Sequence, residues 1–146
     1  MPDALKVPAG FILQARGLAV GAQVYTCQES ADKKTSSWTL KAPDATLYDG
    51  YSQMMAKHFA GPTWMFKDGS RIVATKVAGS DAPNPKAVQW LLLKTSSAGG
   101  DGALSHVSYI QRVYTAGGVA PESACSTGGE ARSEYTAMYY FWVPAP

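Results

Sequence analysis

An antiparallel all-β fold follows from three features of this sequence: short apolar or alternating runs at regular spacing, turn-forming residues between those runs, and no convincing helix. Together they predict a β-sandwich or barrel of about nine short strands in a single domain spanning 1–146. One long loop, tethered by a disulfide, completes the expectation. A chain of 146 residues can bury one substantial core without outside help.

Taken in order, Phe11 to Arg16 reads as a strand that Gly17 ends. Ala22 to Gln28 alternates, sending Ala22, Val24, Thr26 and Gln28 one way and Gln23, Tyr25 and Cys27 the other. Glu29 to Ser36 is polar and small, a surface loop. Trp38 to Lys41 resumes an extended pattern, which Pro43 and Asp44 interrupt, and Leu47 to Gly50 reads as a turn. Gln53 to Phe59 contains good helix formers, but Gly50 and Gly61 leave room for barely two turns, so strand is preferred. Asp68-Gly69 between two β-prone runs signals a tight hairpin into Arg71 to Val77.

A polar loop with Pro83 and Pro85 leads to Val88 and the apolar run Trp90-Leu91-Leu92-Leu93, a strand covered on both faces. Ser96 to Gly102 then forms a long hairpin loop into the strand His106 to Thr115. A period of two in that strand puts Val107, Tyr109, Gln111 and Val113 on one face, and His106, Ser108, Ile110, Arg112 and Tyr114 on the other. Ala116 to Gly129 is a Gly- and Ser-rich loop carrying Cys125; a loop of that length in a compact domain is functional, tied down, or both. The last strand places Tyr135, Ala137, Tyr139, Phe141 and Val143 on one face.

Composition removes several function classes. With 13 Lys and Arg against 11 Asp and Glu, the net charge is +2, and no basic run supplies a footprint for nucleic acid. Charged residues at 16% and aromatics at 11% argue for a compact fold and against disorder. No segment approaches the roughly 20 apolar residues of a membrane span, and no signal-peptide stretch follows Met1.

Cys27 and Cys125 have no Cys or His nearby at metal-ligand spacing, so a bond between them is preferred over zinc; two unrelated buried thiols are the alternative. Such a bond implies a secreted or periplasmic protein whose natural precursor carried a leader, with Met1 added at the mature end.

No Gly-rich loop follows a strand in the manner of a nucleotide site, and Gly99-Gly100-Asp101-Gly102 reads as a turn. The two histidines, His58 and His106, form no His-x-His or His-Glu-x-x-His pattern. The expectation is therefore no metal and no cofactor. Ser70 lacks the Gly-x-Ser-x-Gly surroundings of a hydrolase nucleophile.

The best constellation is His58, Trp64 and Asp68 around the hairpin before Arg71, joined by Gln111 and Arg112, with His106 nearby in the sheet. A histidine oriented by a carboxylate is the minimum for general base work. The plainer expectation is that both histidines are satisfied strand residues and that Asp68 only shapes its turn. Four Trp and eight Tyr offer a second route, because such rings on a sheet face stack on sugars or pack on protein as readily as they stabilise the sheet.

Gln23-x-Tyr25-x-Cys27, His58-Phe59-x-Gly61-Pro62-Thr63-Trp64, Asp68-Gly69-Ser70, Trp90 to Leu93, Tyr109-Ile110-Gln111-Arg112 with Thr115-x-Gly117-Gly118, and Cys125 before Tyr135-x-Ala137-x-Tyr139 form one ordered set along nearly the whole chain. In these residues the chain resembles a secreted bacterial and fungal family known as domain of unknown function 3455. The resemblance implies an exported β-rich domain with paired cysteines and no established activity. A dehydrogenase label attached to some members does not carry over, because the dinucleotide fingerprint is missing here.

Two functions are weighed on these residues. One is a non-catalytic exported module for a glycan, a small ligand or a protein surface, using His58, Trp64, Asp68, Gln111 and Arg112. The other is a small hydrolase- or isomerase-type enzyme with His58 as general base and Asp68 or Arg112 in support.

Overall fold

A computed structural model describes residues 1–146. After a 3-10 turn at Asp3–Leu5 come eight strands: β1 (Phe11–Glu29), β2 (Ser36–Tyr48), β3 (Met54–Phe59), β4 (Thr63–Phe66), β5 (Arg71–Ser80), β6 (Trp90–Gly99), β7 (Tyr109–Gly117) and β8 (Glu130–Pro144). Each pairs antiparallel with the next, and β8 returns to pair with β1, closing a barrel. Closure leaves no free edge over the paired stretches, which protects β-rich chains from edge-to-edge association. No helix is long and apolar enough to cross a membrane.

The strands number eight, close to the nine or so expected, and β1 and β2 are long because two expected breaks do not break. Gly17 continues β1. A Cβ there would lie 2.6 Å from Met55 Sδ and 3.3 Å from Leu47 Cβ, so the glycine admits a close approach inside the barrel. Pro43 and Asp44 likewise stay within β2. Pairing of β2 with β3 begins only at Ala45, so Pro43 has a strand partner on the β1 side alone and tolerates its missing N–H as an edge proline does. Leu47 and Tyr48 also belong to β2; the turn follows them, with Asp49 Oδ1 accepting from the N–H groups of Tyr51 and Gln53. Ser96 to Gly99 extend β6, and His106 lies exposed in the connection before β7.

Tyr135, Ala137, Tyr139 and Phe141 of β8 point into the barrel, where they meet Ala19, Leu47, Met55, Trp64, Ile72, Leu93 and Ile110. The segment 100–108 closes the end that holds the β4–β5 turn. Its Leu104 and Val107 are buried in the same cluster. Asp68 holds this plug: Oδ2 accepts from Ala103 N at 2.9 Å, while Oδ1 accepts from Ser70 Oγ at 2.6 Å and Ser70 Oγ accepts from Leu104 N at 3.1 Å. These bonds keep the Asp68 carboxyl below its ordinary pKa, with the Ser70 hydroxyl contributing most.

Gln111 works on the outside of the barrel. Its Nε2 donates to Leu5 O at 2.6 Å and its Oε1 accepts from Trp142 Nε1 at 2.8 Å, clamping the N-terminal turn against β5 and β6. Cys27 and Cys125 are bonded. Tyr25 OH donates to Gly118 O at 2.6 Å and Trp38 Nε1 to Ser123 O at 3.0 Å, so the long loop before β8 is held at three points along its length.

Candidate functional site

The end opposite the plug, at the β3–β4 turn, stays open and contains a cavity of about 460 Å³. Its floor consists of His58, Trp64, Gln23 and Tyr139, each at most 3% exposed. Leu91, Leu93, Ala74 and Pro62 add apolar wall, and Leu40, Lys41 and Lys76 stand at the exposed rim. Volume and composition both fall in the range of small-molecule sites, which are mostly apolar with a few placed polar groups. Eight-stranded barrels are just wide enough to hold one small ligand.

The period of two delivers these residues. His58 pairs with Trp64 across the β3–β4 hairpin, so both side chains point inward and their rings stack at 4.3 Å and 19°. Tyr139 reaches the same point from β8, its ring tilted against His58 at 5.1 Å. Arg112 pairs with Tyr139 on one side and Leu91 on the other, which fixes its side chain on the inner face of β7.

The imidazole is fully engaged. Its Nδ1 lies 2.9 Å from Thr63 O, a carbonyl that can only accept, so Nδ1 carries the proton. Nε2 then accepts from Tyr139 OH at 3.3 Å, and Tyr139 in turn accepts from Tyr135 OH at 3.2 Å. Burial pulls the His58 pKa from 6.5 down to about 4, so the ring is neutral at pH 7. Burial likewise pushes both phenols up, so they stay protonated.

Arg112 is the exception to this neutrality. Its half-buried guanidinium donates through Nε to Gln89 O at 2.9 Å, and it takes part in none of the three ion pairs, which are Lys6–Asp3, Lys41–Glu130 and Arg132–Asp44. No carboxylate lines the cavity. Four buried side-chain polar atoms in the protein lack a hydrogen-bond partner, and two of them, Gln23 Oε1 and Trp64 Nε1, belong to cavity-lining residues.

Of the residues singled out in the sequence, His58, Trp64 and Arg112 meet at this cavity. Asp68 sits at the other end of β4, with the plug, and Gln111 faces away on the outer side of β7; His106 is remote from the lining as well. Sequence reasoning overlooked Gln23 and Tyr139 as site residues. Their signal was present in the alternation, which put Gln23 beside Tyr25 and Cys27 and put Tyr139 on the β8 face with Tyr135 and Phe141.

A family model described as "Protein of unknown function (DUF3455)" matches residues 8–143. No curated protein and no solved structure matches the chain.

Proposed function

Since the chain belongs to this family of unknown function, we propose from its own geometry that it is an exported, non-catalytic module whose open barrel end holds a small molecule. The observation that carries the proposal is the cavity itself, open at the rim and floored by Trp64, His58, Tyr139 and Gln23. A barrel that served only as a scaffold would gain by filling that space, because close packing of the interior stabilises the fold.

Binding is favoured over catalysis by the state of His58. Both ring nitrogens already have protein partners, and no carboxylate approaches the ring to orient it as a base. Export is supported by the Cys27–Cys125 bond, since disulfides persist in oxidising compartments.

The test is binding of N-phenyl-1-naphthylamine, an uncharged fluorophore, to the dialysed protein. Saturable emission enhancement at one equivalent, abolished when Leu91→Trp fills the cavity, is the expected result. Absence of saturable binding, or binding that Leu91→Trp leaves intact in a folded barrel, overturns the proposal.

A further inference from the structure

The charge pattern of the cavity goes further than its shape, and the inference rests on the binding function proposed above. We propose that the ligand is a small organic carboxylate, its carboxylate held by Arg112 and its apolar body lying against Leu91, Leu93 and Pro62. Three independent features of the site lead there.

First, the guanidinium is fixed by the bond from Nε to Gln89 O and by its approach to the Tyr139 hydroxyl, and no carboxylate of the lining takes its terminal nitrogens. A guanidinium edge carries two parallel N–H donors at carboxylate spacing. Second, nothing nearby neutralises it. The groups facing Arg112 from the neighbouring elements are Tyr25, His58, Tyr135 and Tyr139, all uncharged at neutral pH, and the other cationic lining residues are Lys41, already paired with Glu130, and Lys76 at the rim. A half-buried cation without a counter-charge is costly, and an anionic ligand removes that cost. Third, Trp64 Nε1 and Gln23 Oε1 are buried without partners in the lining, one a donor and one an acceptor. Native interiors rarely leave such atoms unsatisfied, and they mark a polar group missing from the site.

The walls decide against an inorganic anion. Leu91, Leu93, Ala74, Pro43 and Pro62 give the cavity that Arg112 lines an apolar surface that a bare phosphate or sulfate would leave unused. The occupant therefore combines one anionic head with an apolar body.

The test uses matched pairs that differ only in charge: 1-naphthoate against 1-naphthamide, and octanoate against octanamide, titrated calorimetrically into the wild-type protein at low salt. The expected result is a preference of tenfold or more for the acid in at least one pair; which pair shows it distinguishes an aromatic from an aliphatic body. Arg112→Met should bring that ratio close to one by weakening the acid far more than the amide, and Arg112→Lys, which keeps the charge without the fork, should retain part of the preference. Equal binding of acid and amide by the wild-type protein overturns the carboxylate assignment and leaves the cavity function standing. No binding of either member of either pair, together with no binding of N-phenyl-1-naphthylamine, overturns both. The wild-type ratio decides the matter even if Arg112→Met fails to fold.

Discussion

Burial of a neutral imidazole makes this barrel sensitive to acid in a way that can be isolated. The folded-state pKa of His58 is about 4 against 6.5 for the free side chain, because burial disfavours the charged ring. The folded pKa is depressed, so between those values the unfolded chain binds the proton and the folded chain does not. Stability from this residue is complete above pH 6.5 and is lost as pH falls toward 4. A gap of about 2.5 units corresponds to about 3 kcal/mol, a large part of a typical small-domain stability. Carboxylates such as Asp68 add their own acid lability, but they are common to the wild type and to His58→Gln and cancel in the difference. Urea unfolding of both proteins at pH 7 and pH 4 should therefore show the wild type losing about 3 kcal/mol more than the variant. Parallel losses in the two proteins, or an imidazole that titrates near 6.5 by NMR in the folded state, would refute the reasoning about His58 burial.

Other perturbations separate structural side chains from those at the cavity. Gln111→Ala removes the acceptor of Trp142 Nε1 and the donor to Leu5 O, so urea unfolding should show a loss of about 1–3 kcal/mol and limited proteolysis should find residues 1–10 newly accessible. Ligand affinity should not change, since the residue faces away from the cavity. Replacing both cysteines by serine opens a cross-link between residues 98 apart and should cost up to roughly 4–5 kcal/mol, read from the shift in unfolding midpoint. Alkylation of the unreduced, denatured wild type should label neither sulfur. Asp68→Ala should speed amide exchange at Ala103 and Leu104, whose N–H groups it holds directly and through Ser70, without weakening ligand binding at the opposite end of β4.

Strand identity was readable because alternation and turn residues are local. The Asp68-Gly69 hairpin, the Leu91–Leu93 run and the inward face Tyr135, Ala137, Tyr139 and Phe141 all follow from neighbouring residues. Gly17 and Pro43 misled because their reasons are not local: one accommodates Met55 and Leu47 across the barrel, and the other sits where β2 lacks a second partner. The same distinction divides the candidate site. His58 and Trp64 are cross-strand partners in one hairpin and could be grouped from sequence, whereas Asp68, though close in sequence, lies at the other end of a strand. For Gln111 and Arg112 the period of two predicts opposite faces but not which face is inside. The closure of β8 onto β1 and the N-terminal turn over Gln111 settle that, and neither is encoded within β7 itself.

The most direct test of the cavity as the functional centre is a backbone NMR titration of the wild-type protein with 1-naphthoate. Shift changes should concentrate at Gln23, Trp64, Leu91 and Arg112 and leave the plug at Ala103 to Val107 unmoved. Changes centred on the plug or on the outer faces of the strands would contradict it, as would saturation with no shift at Trp64.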